Sequence, residues 1–171
     1  MPTQLTHHST LNISKIFPVV LICDGVKSPS NIGSLFRICD ALGVSEIIFC
    51  NSEVNINSPR LQKTARSTQN RVKYSDSSDI NETIEKLKKN DFTIVALEIT
   101  DSSISLETLS VEKDKKIALI IGNEQQGISK KVLEQIKMAV HIDMFGENSS
   151  MNVVQATSIA LYSIINKLYL Y

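Results

Sequence analysis

The sequence predicts an α/β fold in which a parallel β-sheet is flanked by helices. Runs rich in valine and isoleucine, with few polar residues inside each run, are typical of strands buried on both faces. These runs alternate with segments whose apolar residues recur every three or four positions, which indicates helices that cover the sheet. The predicted strands are 17–24, 44–50, 92–98, 116–121 and 139–144, with a weaker one near Val72. The predicted helices are 31–42, 59–67, 79–90, 129–137 and 150–168.

The composition favours one domain with an apolar core. A chain of 171 residues can bury such a core without disulfides or metals. We expect residues 1–15 to form an arm or short helix and residues 16–171 to form a single domain. The 18 lysines and arginines balance 18 acids, so net charge alone predicts no nucleic-acid partner. Cys23, Cys39 and Cys50 lie in apolar runs without a CxxC pair, which predicts buried thiols in a reducing compartment and no metal site.

The apolar runs and the first residues also predict a location. Every apolar run is much shorter than the roughly 20 residues that a membrane-spanning helix needs. The first residues lack a charged and apolar leader. We therefore expect a cytoplasmic protein without a membrane partner.

The first segment with candidate functional residues is SPSNIGSLFRICDALG, residues 28–43. Its predicted helix would be capped by Asn31 and ended by Gly43 in the left-handed conformation. Leu35, Cys39 and Leu42 share one face by their spacing, and we expect that face to pack on the sheet.

Arg37 lies about 200° around the same helix from Leu35, so it points away from the sheet. Its simplest interpretation is an exposed arginine that pairs with Asp40, three positions along the helix.

Two further segments follow predicted strands. GNEQQG, residues 122–127, follows a strand at the position where parallel sheets commonly bind ligands. The third segment starts at Ile142 and joins a strand, a polar loop and a long helix, for which Ser149 or Ser150 is the predicted cap. Its helix carries a wide apolar stripe made of Val153, Thr157, Ala160, Leu161, Ile164 and Leu168.

Together and in order, the three segments resemble the signature motifs of the SpoU, or TrmH-like, RNA ribose methyltransferases of the SPOUT superfamily. The first matches Asn-x-Gly-x-x-x-Arg, the second Gly-x-Glu-x-x-Gly and the third Gly-x-x-x-Ser-x-Asn-Val. The matching residues are Asn31, Gly33, Arg37, Gly122, Glu124, Gly127, Gly146, Ser150, Asn152 and Val153. Two positions depart from the pattern, because Asp143 stands where proline is usual and Cys39 where alanine is usual.

The resemblance implies a fold with a deep C-terminal trefoil knot, which is rare among proteins. It also implies S-adenosylmethionine as the cofactor, bound in a bent form inside the knot. The contacts carried over are Leu97, Glu98, Ile121, Gly122, Ile142, Met144 and Met151. The family's active site forms across a homodimer interface packed in part by the last helix. We therefore expect a homodimer, and the apolar stripe would serve either that interface or only the internal core.

The resemblance further implies methyl transfer to a ribose 2′-hydroxyl, catalysed by Arg37, Asn31, Glu124, Ser150 and Asn152. A guanidinium does not readily lose its proton, so we expect Arg37 to stabilise developing negative charge rather than act as the base. Asn31, Ser150 and Asn152 would hydrogen-bond the ribose, the cofactor or Arg37. Glu124 would hold Arg37 or the loop through charge-assisted bonds. The reaction needs no metal.

A basic segment predicts where RNA binds. It contains Arg60, Lys63, Arg66, Arg71 and Lys73, with no acid between Glu53 and Asp76. Cations three positions apart on a short helix can follow a phosphate backbone. The alternative is a solvated helix face without a partner.

Transfer RNA is favoured over ribosomal RNA as the substrate, because the chain is too short for the additional N-terminal RNA-binding domain of many ribosomal enzymes. Ribosomal RNA stays open as an alternative, as does a catalytically silent knotted RNA-binding protein. A flavodoxin-like nucleotide binder would fit the strand and helix alternation but would leave the third motif unexplained.

Overall fold

Seven parallel strands form one sheet in the computed structural model, which describes residues 14–170. In chain order they are β1 (Phe17–Asp24), β2 (Val44–Cys50), β3 (Tyr74–Ser77), β4 (Phe92–Leu97), β5 (Ile104–Ser105), β6 (Lys116–Ile121) and β7 (Ala139–His141). Their order across the sheet is β3-β2-β1-β6-β4-β7-β5, and every pairing is parallel. The predicted fold class is confirmed, while the threaded C-terminal knot stays a prediction. The predicted N-terminal arm falls largely on residues 1–13, outside the described residues.

Five α-helices cover the two faces of this sheet in the described part of the chain. They are α1 (Pro29–Leu42), α2 (Pro59–Ala65), α3 (Ile80–Lys89), α4 (Lys130–Leu133) and α5 (Val153–Leu170). Short 3-10 helices lie at Thr68–Asn70 and Leu106–Thr108. Leu21 of β1 packs into a core shared with α1, α2 and α5, whereas its neighbour Ile22 packs into a core shared with α3 and α4. The alternation of side chains along a strand therefore builds a three-layer molecule with a core on each side of the sheet.

Two predicted elements end earlier than expected. The strand predicted for 139–144 stops at His141, because the following residues leave the sheet. The helix predicted for 129–137 is only four residues long. Backbone N–H groups of Gln135 and Ile136 donate to carbonyls three positions back, so the chain continues as tight turns.

The start of α1 is also different from the prediction, which placed the cap at Asn31. Ser28 is the N-cap and Pro29 occupies the first helical position, where its fixed φ angle suits the helix. Asn31 therefore lies within the first turn, and its side chain is free to bind elsewhere. The predicted end of the helix is confirmed, since Gly43 adopts φ 66° in the left-handed region.

The long helix α5 uses its apolar stripe internally. Thr157, Ala160 and Leu161 are buried in the core. Ile164 and Leu168, further along the helix, are buried there as well. Most of the stripe is therefore buried within the chain's own core, and only Val153 at its start is half-buried. The predicted cap at Ser149 or Ser150 was wrong, because the side chain of Asn152 accepts the backbone N–H of Val154 over 2.8 Å.

A different face of α5 is exposed. Ile159 is 44% exposed and Tyr162 is 61% exposed, although both are large apolar or aromatic side chains. They lie three positions apart and so share one side of the helix.

The helices α1 and α2 approach closely at Gly33. A Cβ atom on Gly33 would overlap the Leu61 carbonyl oxygen and the Thr64 hydroxyl of α2. Glycine at this position therefore sets how near the two helices lie.

The three cysteines are buried and free, as predicted. Burial raises the pKa of the Cys50 thiol to about 11 and raises the pKa of Cys23 and Cys39 well above the ordinary value. These thiols therefore stay protonated and unreactive at neutral pH. Between residues 14 and 170, no helix has both the length and the apolar character that crossing a membrane requires.

Candidate active site

A cavity of about 340 Å³ opens at the carboxyl ends of β4, β6 and β7. Parallel sheets commonly bind ligands at this edge. All seven residues predicted to contact a cofactor line its wall, namely Leu97, Glu98, Ile121, Gly122, Ile142, Met144 and Met151. The early end of β7 accounts for two of them, because Ile142 and Met144 leave the sheet and become part of the wall.

The loop after β6 is closed by its own backbone. Asn123 and Gly127 exchange backbone hydrogen bonds of 3.0 and 2.9 Å. Gly127 adopts φ 65°, and a Cβ atom on Gly122 would overlap the peptide that joins Gly127 to Ile128. The two glycines of the second motif are therefore required by the loop's closure.

Two carboxylates hold this loop against the sheet. Glu98 Oε2 accepts the Ile128 N–H over 2.9 Å, and Asp24 Oδ2 accepts the Ser129 N–H over 3.4 Å. Asp24 is only 6% exposed, and its other oxygen accepts from the Asn51 amide over 3.0 Å. Sequence reasoning missed Asp24, whose signal was an acid at the end of a buried strand. It also missed that the Glu98 carboxylate shapes the loop.

A polar cluster joins the first motif to the second. Glu124 accepts hydrogen bonds from the Asn31 side-chain amide over 2.9 Å and from the N–H groups of Ser28 and Lys27 over 3.1 and 3.3 Å. Burial raises the pKa of Glu124, but these bonds outweigh it and hold the pKa below its ordinary value. Of the two predicted roles for Glu124, bonding to Arg37 is not seen, and its carboxylate instead ties the loop to the start of α1.

The third motif joins the same cluster. The Asn152 amide donates to Asn31 Oδ1 over 3.5 Å, while both Asn152 and Ser150 line the cavity. Asn31, Glu124 and Asn152 are therefore joined by hydrogen bonds, and Ser150 lies in the wall of the same cavity as Glu124 and Asn152.

Arg37 is the predicted catalytic residue that the structure does not bring to this cluster. It lies about 9 Å further along α1 than Asn31 and about 120° around the helix. Within the described residues, its side chain lines a shallow groove with Lys63 and Arg66 of α2 and not the cavity. The predicted pair with Asp40 was wrong, because Asp40 faces Arg71, with 3.9 Å between the nearest nitrogen and oxygen.

The basic segment divides into two groups in space. Arg60, Lys63 and Arg66 are exposed on and just after α2. Lys73 donates to Glu46 Oε2 over 2.8 Å, and Arg71 faces Asp40, so neighbouring elements supply the acids that the segment itself lacks. Arg37, Lys63 and Arg66, which line the groove, and Arg60 in the first turn of α2 form no ion pair with an acid between residues 14 and 170. We call these four residues the basic groove.

Other features near the cavity were not predicted. His141 lines it and contacts Asp143, and Phe145 in the next loop is 98% exposed. Across residues 14–170, no three His, Cys, Asp or Glu side chains are grouped so that they could hold a metal ion.

Comparison with known sequences identifies relatives. A family model described as the SpoU rRNA Methylase family matches residues 18–162. A protein of Staphylococcus aureus (strain COL) described as a TrmH family tRNA/rRNA methyltransferase is 29% identical over 148 residues, covering 86% of this chain and 58% of the relative. A 23S rRNA (guanosine-2′-O-)-methyltransferase of Blochmanniella floridana is 30% identical over 155 residues, covering 90% and 59%. The chain thus spans less than two thirds of these relatives.

Solved structures share the fold. The TrmH/SpoU tRNA modifying enzyme of A. aeolicus superposes with a TM-score of 0.80 at 23% identity, covering 92% of this chain and 78% of that one. An AdoMet-bound rRNA methyltransferase of Sinorhizobium meliloti superposes with a TM-score of 0.81 at 22% identity, covering 91% of this chain and 58% of that one. A structure concerned with 2-OH methylation of C/U34 on tRNA gives 0.79 at 21%, covering 91% of this chain and 100% of that one.

Proposed function

Because the chain belongs to the SpoU rRNA methylase family, we propose that it transfers a methyl group from S-adenosylmethionine to a ribose 2′-hydroxyl of structured RNA. The observation that carries the proposal is the cavity edge where Asn31, Glu124 and Asn152 of three separate motifs meet. Such a cluster beside a cavity with both polar and apolar walls suits a reaction that needs positioning of two partners.

The cavity fits S-adenosylmethionine. Its volume of about 340 Å³ lies within the range of small-molecule pockets. Leu97, Ile121, Ile142 and Met144 offer apolar surface for an adenine ring, while the loop backbone near Gly122 offers polar groups. Once bound, the cofactor supplies an electrophilic methyl group on a sulfonium.

The chain's own polar residues would orient the acceptor. Ser150 and Asn152 can donate hydrogen bonds to a ribose oxygen at the cavity edge. Glu124 keeps Asn31 in place, and its lowered pKa means that it does so as a carboxylate at neutral pH. Arg37 would stabilise the negative charge that develops on the attacking oxygen, since a guanidinium cannot serve as a base.

The position of Arg37 supports a shared active site. It lies in the basic groove rather than in the cavity of its own chain, so a second copy would supply the arginine to each cavity. The exposed Ile159 and Tyr162 of α5 offer apolar surface for this homodimer. The basic groove would then carry RNA phosphates up to Arg37.

Transfer RNA is the proposed substrate class. One structure of the same fold that this chain covers completely concerns methylation on tRNA, which supports it. Ribosomal RNA is the alternative, supported by the 30% identical relative that methylates 23S rRNA.

The test is methyl transfer to each RNA, followed by nucleoside analysis of the product. We expect 2′-O-methylated nucleosides in tRNA and not in rRNA, and 2′-O-methylation of rRNA alone would move the substrate to the alternative. Arg37→Ala and Arg37→Lys should both abolish transfer while cofactor affinity stays within a few fold, because an ammonium cannot reproduce the planar guanidinium. Joint loss of transfer and cofactor binding in Arg37→Ala would contradict the assigned role.

Mixing two inactive variants tests the shared site. Arg37→Ala keeps its cavity, and Met144→Lys keeps its arginine but places a cation in the cavity wall. Random reassociation should restore about a quarter of the wild-type sites if each arginine serves its partner's cavity. No recovery in heterodimers verified by mass would place Arg37 in its own chain's site.

A further inference from the structure

Four polar side chains connect the edge strand β5 to the wall of the cavity. Ser105 Oγ of β5 donates to Asp143 Oδ2 over 2.5 Å. His141 Nε2 lies 3.5 Å from Asp143 Oδ1, and His141 Nδ1 lies 2.9 Å from Ser103 Oγ. We call Ser103, Ser105, His141 and Asp143 the edge latch.

The edge latch adjoins the cavity wall in sequence. Ile142 and Met144 line the cavity and lie on either side of Asp143, which bonds to β5, while His141 both contacts Asp143 and lines the cavity. The backbone ladder between β5 and β7 has only two residue pairs, Ile104 with Val140 and Ser105 with His141. Beyond that short ladder, the side chains of the latch attach the wall to the sheet.

His141 is not placed to act as a general base. It is the one histidine between residues 14 and 170, and histidine is the usual base near neutral pH. However, Asp143 faces one ring nitrogen and Ser103 binds the other. In the tautomer with its proton on Nε2, the ring points that proton at Asp143 and its Nδ1 faces the Ser103 hydroxyl, which also lies 2.9 Å from the Thr100 carbonyl oxygen, so neither nitrogen faces a substrate.

We propose that Asp143, oriented by His141 and Ser105, is a positioning residue that holds Ile142 and Met144 in the shape that binds S-adenosylmethionine. This inference rests on the cofactor binding proposed above. Asp143 stands where the family resemblance leads one to expect proline, which fixes the backbone through its ring. In this chain, side-chain bonds to the edge strand take over that restraint.

The experiment compares cofactor binding by calorimetry, steady-state kinetics and melting temperature in the full chain. Asp143→Ala should raise the Kd and the KM for S-adenosylmethionine about fivefold to tenfold, while kcat at saturating cofactor changes less than about twofold. Asp143→Pro should recover most of the lost affinity. Ser105→Ala, which removes one bond of the latch, should raise the Kd by a smaller factor. Asp76→Ala, an exposed acid on β3 at the opposite edge of the sheet, is the matched control and should leave the Kd unchanged.

The outcomes separate the inference from the proposed function. Wild-type protein that does not bind S-adenosylmethionine would overturn the function itself. Wild-type binding with an unchanged Kd in Asp143→Ala would overturn the latch alone, as would a raised Kd that Asp143→Pro leaves equally high. If Asp143→Ala is too unstable to measure, Ser105→Ala decides: a raised Kd at near-normal melting temperature supports the latch, and a wild-type Kd overturns it.

Discussion

The side-chain amide of Asn31 donates a hydrogen bond of 2.9 Å to Glu124 Oε1, although 93 positions separate the two residues. The same carboxylate accepts backbone N–H groups of Ser28 and Lys27 just before α1. One ionised side chain therefore ties the loop after β6 to the first turn of the helix that carries Arg37. Glu124 of the second motif therefore helps to fix the position of Asn31 and of the start of α1 in the first motif.

Glu124→Gln should make the stability of the protein less dependent on pH. The pKa of Glu124 is lower in the folded than in the unfolded chain, so its contribution is present above the unfolded value and is lost as the pH falls through the folded one. The wild type should melt above Glu124→Gln at about pH 6, and the gap should close between about pH 5 and pH 3. Thermal melts across this range measure it. Glu134→Gln, at an exposed glutamate of the short segment after α4, is the control, and a gap that widens in acid would contradict the prediction.

Gly33→Ala should destabilise the protein. The new methyl group would meet the Leu61 carbonyl and the Thr64 hydroxyl, and helix α2 would have to move away. We expect a loss of about 1–3 kcal/mol in the free energy of unfolding, measured by urea titration. Adding Thr64→Ala should recover only part of it, since the Leu61 carbonyl stays. Ser30→Ala, on an exposed position of the same helix, should change stability by less than about 0.5 kcal/mol. A Gly33→Ala protein as stable as this control would rule out the close helix contact.

Replacing Arg60, Lys63 and Arg66 by alanine should weaken RNA binding and flatten its salt dependence. Each lost phosphate contact reduces the slope of log affinity against log salt by about 0.7 to 0.9. The structure provides a matched control in Arg71→Ala with Lys73→Ala, because those two cations already face Asp40 and Glu46. The control should change the slope less. RNA titrations at three salt concentrations measure both, and equal slopes in the two variants would move the RNA path away from the basic groove.

Ile159→Glu combined with Tyr162→Glu should convert the proposed homodimer into a monomer. Both side chains are exposed on α5, and introducing charges into an apolar interface opposes association. Sedimentation at micromolar concentration should show a dimer for the wild type and a 19.0 kDa species for the variant, with little change in melting temperature. Lys89→Glu at the exposed end of α3 is the control. A wild type that sediments only as a monomer would refute the dimer, and a variant that stays dimeric would place its interface elsewhere.

The positions of the longer strands, and their burial in the sheet, were predictable because β1, β2 and β6 are long apolar runs with clear boundaries. The two-residue strand β5 was not, since Ile104 and Ser105 are too few to show a period. The end of β7 was missed for a different reason. Ile142 and Met144 are as apolar as strand residues, and an apolar pattern cannot distinguish a side chain that fills a core from one that lines a cavity. Only the family resemblance pointed to their place in the cavity wall.

The candidate site was predictable in its members but not in its contacts. The three motifs identified Asn31, Glu124 and Asn152 as candidate site residues. Their mutual hydrogen bonds could not be predicted, because they depend on how three loops meet in space. The charged residues were likewise predictable from the sequence, but their ion-pair partners were not. The acids that face Arg71 and Lys73 come from α1 and β2, so a basic stretch along the chain became two surfaces in the fold.

The central pairing of the sheet also has a consequence for how the chain folds. Strand β1 lies between β2 and β6, and its register with β6 joins Val19 to Ile117 and Cys23 to Ile121. During synthesis, nearly a hundred further residues must therefore be added after β1 before β6, which pairs with one of its edges, is available. An unpaired edge of apolar residues can associate with other chains in that interval. Ribosome-bound chains that end before Lys116 should consequently be more prone to aggregation than those that include β6, so the order of the strands makes the interval between the synthesis of β1 and that of β6 the stage most open to aggregation.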